Sequence, residues 1–203
     1  MVPLHHGTRR RIVGVMVTEI QTLRGTFLIA MPDMADPRFA GSVICLCHHD
    51  ADGAMGVIVN RPRSDITFAA ILDQMRIDHH REGRQVRLFG GGPVQRMRGY
   101  VLHGLDYRAD ATQIVTDDIG LTETRDILVA LAAGGGPQDA LLALGCAGWG
   151  PGQLEAELAG NDWLTAPVDA AILFAADPAT IRAAALQSIG VSPSSLSLTG
   201  GRA

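Results

Sequence analysis

Residues 42–60 read Ser42-Val-Ile-Cys-Leu-Cys-His48, then His49-Asp50-Ala51-Asp52-Gly53, then Ala54-Met-Gly-Val-Ile-Val-Asn60. Two β-like runs, Ser42–His48 and Ala54–Asn60, flank a polar loop that contains glycine, which is the pattern of a β-hairpin. Upstream, Thr26–Met31 is a short apolar strand ended by Pro32, and Asp36-Pro37-Arg38-Phe39 is a tight turn or one-turn helix. Downstream, Phe68, Ile71, Leu72 and Met75 fall at i, i+3, i+4 and i+7, the stripe of an amphipathic helix. Val86–Phe89 and Gly99–Leu105 read as strands around Gly90-Gly91-Gly92-Pro93, with a further short strand at Gln113–Val115. Leu121–Ala133 reads as a helix stopped by Gly134-Gly135-Gly136-Pro137. Ala140–Leu144 and Ala170–Phe174 are expected to be buried strands. Pro151–Leu158 is expected to be a helix, and another runs from Asp177-Pro178 to about Ile189. Residues 1–23 are expected to be a flexible N-terminal extension, 24–190 a single mixed domain, and 191–203 a disordered tail.

Composition bounds the chemistry. The 203 residues are 47% hydrophobic and 19% charged, those of an ordinary globular chain. All seventeen basic residues are arginine. The absence of lysine removes Schiff-base chemistry on a side-chain amine and the ordinary phosphate-binding loop. A net charge of −4 argues against a general nucleic-acid or membrane-surface binder. Three cysteines are too few and too uneven for a secreted disulfide framework, and no apolar run approaches a membrane helix. The expected compartment is the cytoplasm.

Cys45-Leu46-Cys47-His48-His49-Asp50 is the densest run of metal-ligand types. It supplies only half of a tetrahedral site and lacks a second pair, so no metal is predicted and the cysteines read as small buried hydrophobes. Gly145-Cys146-Ala147-Gly148-Trp149-Gly150-Pro151-Gly152 reads as a glycine-rich turn between a strand and a helix. Cys146 at a helix N-terminus would be an activated thiol, against the plainer reading of Trp149 as a packing anchor. Arg76–Arg98 carries a local charge of +4 and 106–126 a local −4, as counted from the sequence. The basic segment is the one candidate for phosphate-backbone contact. Opposite charges of this kind more often pair with each other or with a second subunit, so a homodimer is admitted.

Taken together, several motifs resemble the YqgE/AlgH family. They are Gly25–Pro32 with Asp36-Pro37 and Phe39, Cys47-His48-His49-Asp50 with Gly53–Pro62, Gly91-Gly92-Pro93, Gly145–Trp149 with Gln153–Glu157, and Asn161-Asp162-Trp163-Leu164. They occur in the family's order over about residues 24–175. The resemblance implies an α+β single domain, a bifurcated mixed β-sheet curled into a small barrel with flanking helices. The family is small, bacterial, cytoplasmic and largely uncharacterised, and one branch is labelled a transcriptional regulator of alginate synthesis on genetic grounds. Two positions depart from the family's pattern, Cys146 where tyrosine is usual and His48 where glutamate is common.

The candidate binding residues are Asp36, His49, Asn60, Gly92, Pro93, Trp149, Gln153 and Glu155, on the expectation that the strand ends carrying them converge. No catalytic residue and no cofactor is assigned. The leading expectation is a non-enzymatic protein that binds an unknown small ligand or protein partner and acts in regulation. The alternative is an enzyme with His49 as general base and Glu155 or Asp36 as its carboxylate partner. That reading requires His49 within about 2.6–3.2 Å of a carboxylate, beside an open cavity. A partner-binding module requires instead an exposed apolar patch near Trp149 or Trp163. A third reading, nucleic-acid binding through Arg76–Arg98, is disfavoured by the net charge.

Overall fold

The computed structural model of the chain describes residues 22–79, 85–175 and 177–196. Nearly all of the expected extension and the last seven residues of the expected tail lie outside the described residues. The hairpin forms as its alternation demands, β2 (Val43–Asp50) running antiparallel to β3 (Gly53–Ile58). Its turn is tighter than the sequence suggests, because both strands run into the polar loop. β1 (Thr26–Ala30) pairs with β2. Both strands are buried on both faces, which is why their apolar runs are continuous rather than alternating. Phe27, Ile29, Val43, Cys45 and Cys47 enter one core, while Leu28, Ala30, Ile44 and Leu46 enter another.

The next elements are α1 (Phe68–Gln74), β4 (Arg87–Gly90), β5 (Val94–Gly104), β6 (Gln113–Ile114) and β7 (Ile119–Thr122). They are followed by α2 (Arg125–Ala132), β8 (Ala140–Trp149), α3 (Gln153–Ala159), β9 (Trp163–Pro167) and α4 (Ile181–Ser188). Thr67 caps α1 by accepting from the Ala70 amide at 3.2 Å. The strand order is β6-β7-β5-β8-β3-β2-β1-β9, and β4 joins β8 as the single parallel pair. β8 is therefore the fork. Its first half carries β5 and β4, and its second half carries β3. The outermost strands β6 and β9 do not pair, so the sheet curls into an open half-barrel. One core draws on both arms and is covered by Ile181, Ala185 and Leu186 of α4. A second packs α1 and α2 on Leu88, Val101 and Leu142.

Three sequence expectations are corrected, and one strand was not foreseen. Leu121 lies in β7, not in a helix; Ile119 and Leu121 enter the core, and α2 starts only at Arg125. The apolar run expected to be a strand near 170–174 is a π-helical turn, Ala171–Ala175, whose start is held by Asp169 accepting from the Ala171 amide at 2.7 Å. A short apolar run has no period that distinguishes the two. The glycine-rich run 145–149 is the second half of β8, and the turn begins only at Gly150. β9 is only five residues long with a threonine at its centre; among the described residues it pairs with β1 alone, and it ends at a proline, as an edge strand tolerates. Within the expected tail, Pro193–Leu196 form a 3-10 turn, with Leu196 packed against the core.

One buried polar chain crosses the β5–β7 region. His103 is fully buried, and its Nδ1 lies 2.8 Å from the Gly104 carbonyl, so Nδ1 carries the proton. Nε2 is then the acceptor for the Thr122 hydroxyl at 2.8 Å, and Thr122 accepts from Thr112, also at 2.8 Å. Thr112 in turn accepts from the Ala109 amide at 2.9 Å. Every member is satisfied only with a neutral imidazole. Burial holds the His103 pKa below its ordinary value of 6.5. The unfolded chain therefore binds this proton more readily than the folded one. The stability contributed by neutral His103 is full above about pH 6.5 and is lost as pH falls through the lower folded value. Urea unfolding between about pH 7.5 and pH 5 should show this loss, and His103→Gln should flatten the slope. An unchanged slope in the variant would show that His103 does not carry it.

Candidate functional site

His49 and Glu155 do meet. His49 Nε2 lies 2.8 Å from Glu155 Oε1, within the range an acid–base pair requires. The other ring nitrogen decides what the pair does. His49 Nδ1 accepts from the backbone amide of Leu23 at 3.0 Å, so Nε2 must be the donor to Glu155. Both nitrogens are engaged, and the His49 side chain is 2% exposed against 47% for Glu155. Thr22 adds a bond to the His49 carbonyl at 3.1 Å. The imidazole thus holds the start of the described chain and helix α3 against β2. The Glu155 pKa lies below the usual carboxylate value because its own backbone amide and then His49 donate to it.

Asn60 is likewise engaged. Its side chain accepts from the Val43 amide at 2.8 Å and donates to the Gly41 carbonyl at 2.9 Å, tying the end of β3 to the loop before β2. Cys146 lies inside β8, 4% exposed, with Sγ donating to Tyr100 Oη at 3.4 Å. Helix α3 begins seven residues later, so no helix N-terminus acts on the thiol, and the activated-nucleophile expectation is corrected. The Cys47 thiol pKa is raised well above the ordinary value by its hydrogen bond to Cys45 and by burial. His48 is exposed and pairs with Asp50 at 2.9 Å. Among the described residues no three His, Cys, Asp or Glu side chains gather into a metal site.

Four of the eight candidates do converge. Asp36, Pro93, Trp149 and Gln153 line a pocket of about 240 Å³, together with Phe39, Glu157, Asp162 and Trp163. The three aromatic rings form a cluster. Phe39 stacks on Trp149 at 6.5 Å between centroids, and each meets Trp163 edge-on, at 5.8 and 6.0 Å. Glu157 organises it: one carboxylate oxygen accepts both indole N–H groups, each at 2.8 Å, and the other accepts from the Gln153 amide at 2.9 Å. Gln153 returns its own oxygen to the Gly150 amide at 3.1 Å, closing the β8–α3 turn. Sequence reasoning missed Glu157 as a site residue, although its spacing four residues after Gln153 puts both on one helix face. Val94, 41% exposed, adds an apolar rim.

Asp36 is ion-paired to Arg38 at 2.6 Å, and that guanidinium holds the Asp36 carboxyl below its usual value. The pocket wall therefore carries three carboxylates against one arginine. On its other side, Arg38 and Pro93 border a second cleft of about 380 Å³, where Gly92 lies with Arg61, Arg63 and Arg96. His49, Asn60 and Glu155 line neither cleft.

The shared carboxylate yields a measurable consequence. Glu157→Ala leaves two buried indole N–H groups without an acceptor and should cost about 2–4 kcal/mol in urea unfolding. It should also change the near-ultraviolet circular dichroism of the tryptophans. Glu157→Gln keeps one of the two acceptor oxygens and turns the other position into a donor, and should fall between. Wild-type stability in Glu157→Ala would refute the arrangement.

Comparison with known proteins agrees with this fold. The DUF179 family model, described as AlgH-like, matches residues 27–194. A UPF0301 protein of Cereibacter sphaeroides is 50% identical over 182 residues, 89% of this chain and 99% of its own length. One from Rhodospirillum rubrum is 45% identical over 181 residues, 89% of this chain and 94% of its own. The solution structure of the AlgH protein from Pseudomonas aeruginosa superposes with a TM-score of 0.73 at 43% identity, covering 90% of this chain and 97% of that one. A crystal structure of protein DIP2367 from Corynebacterium diphtheriae shares the fold, with a TM-score of 0.60 at 23% identity over 83% of this chain and 88% of its own. With the forked half-barrel and the expected motifs in place, the chain belongs to the AlgH-like, UPF0301 family.

Proposed function

We propose that the protein is a non-enzymatic cytoplasmic binding protein with a regulatory role, taking a small ligand or a partner's side chain at the aromatic pocket. The convergence of Asp36, Trp149 and Gln153 with Glu157 and Trp163 around one opening carries this reading. Aromatic walls beside carboxylates suit a cationic or hydrogen-bonding group with an apolar body. The His49–Glu155 distance favours the enzyme alternative. Against it, the imidazole already uses both nitrogens, is buried, and borders no cavity described above. Arg98 is paired with Glu123 at 2.6 Å, and Arg87 reaches the Leu173 carbonyl, which weighs against the basic segment as a nucleic-acid face. Among the described residues, no helix is long and apolar enough to cross a membrane.

The chain has two tryptophans, and both line the pocket, so intrinsic fluorescence reports on its occupancy. Protein purified without chelator should carry excess mass in native mass spectrometry relative to its denatured mass. Alternatively, fractions of a bacterial metabolite extract should shift its tryptophan emission. Gln153→Ala should abolish either effect. A native mass equal to the bare chain or a whole multiple of it, with emission unmoved, would remove the small-ligand form. Turnover of any extract component that is lost in His49→Gln would replace this reading with the enzyme one.

A further inference from the structure

We propose that the second cleft is an anion site for a small molecule bearing two or more phosphoryl groups. Its position is set by backbone rather than by a basic helix. Arg61 and Arg63 follow β3, Gly92 and Pro93 form the turn between β4 and β5, Arg96 lies early in β5, and Arg38 comes from the turn ahead of β2. The segments are held together by main-chain bonds. Arg63 N–H donates to the Leu88 carbonyl at 2.8 Å and Gly90 N–H to the Arg61 carbonyl at 2.9 Å.

The charge in the cleft is uncompensated in a specific way. Four guanidiniums line it and no carboxylate does. Asp36 and Asp65 neutralise Arg38 and Arg63. Arg61 donates to two neutral acceptors, the carbonyls of Arg38 and Ala40, which fix the guanidinium without cancelling its charge. Arg96 is exposed and has no partner among the described residues. Two full positive charges are thus left facing one concavity in a chain whose net charge is −4. One of them is already immobilised, so less conformational entropy is lost on binding. Guanidinium forks match phosphoryl oxygens two at a time, and the volume of about 380 Å³ admits a compact diphosphate with room for its attached group. The inference is independent of the aromatic pocket, which carries the opposite charge.

The test is calorimetric titration of the full chain with inorganic pyrophosphate. One site per chain is expected, weakening as salt rises. Arg96→Ala should weaken binding about tenfold or more, and Arg96→Glu, which reverses the charge, should remove it. Arg108→Ala, an exposed arginine outside the cleft, should leave it unchanged. Arg61 is spared because it holds the loop, and circular dichroism verifies that each variant is folded. Adenosine diphosphate binding at least as tightly as pyrophosphate assigns the phosphoryl groups to a nucleotide. Weaker binding than pyrophosphate supports a phosphate compound of another kind. Absence of heat at millimolar pyrophosphate overturns the proposal, as does equal binding by the cleft variants. Duplex DNA bound through the same arginines while both small molecules give no heat also overturns it.

Discussion

Gly92 and Gly145 pass each other with no room for a side chain. A Cβ on Gly92 would sit 2.2 Å from the Cys146 carbonyl carbon, and one on Gly145 would sit 2.5 Å from the Gly92 oxygen. Both residues hold positive φ, 149° and 82°, where side-chain-bearing residues are strained. At Gly145 the alternation of β8 changes phase: Leu141 and Ala143 enter the shared core, and so does Cys146. The strand can therefore turn its second half toward β3 while its first half stays with β5 and β4. The hairpin, helix α3 and the aromatic pocket all hang from that second half.

The same passage places the two clefts side by side. Pro93 follows Gly92 and borders both, and Arg38 borders both from the opposite wall. One cleft is lined by carboxylates and aromatic rings, the other by arginines. Arg38 divides them because its ion pair with Asp36 binds the edge of each to one turn. His49, the expected general base, lines neither cleft and holds Leu23 and Glu155 instead.

Three polar side chains act as staples in this fold. His49, Asn60 and His103 each satisfy both hydrogen-bonding ends of their side chains within the protein. Leaving any such group unpaired would cost more than the bond contributes, so these residues enforce register and loop position. Glu157 belongs to the same class yet faces a pocket, and its carboxylate charge is met by three neutral donors and no cation.

The sequence alone determined the local order of elements. The hairpin, β1, the turn at Asp36, α1, α3 and the glycine stops were legible because side-chain period and turn chemistry act over a few residues. The motif order also identified the family and its forked sheet. It did not determine the identity of short apolar runs such as 171–175, where strand and helix make the same demand on composition. Nor did it separate the eight candidate residues into a pocket, a cleft and a set of staples. That separation is a matter of which hydrogen-bonding atoms find partners across long sequence distances. Leu23 reaches His49, and Glu155 lies 106 residues beyond that histidine in the chain. Only the folded backbone, passing glycine against glycine at the fork, brings those atoms within a bond's length.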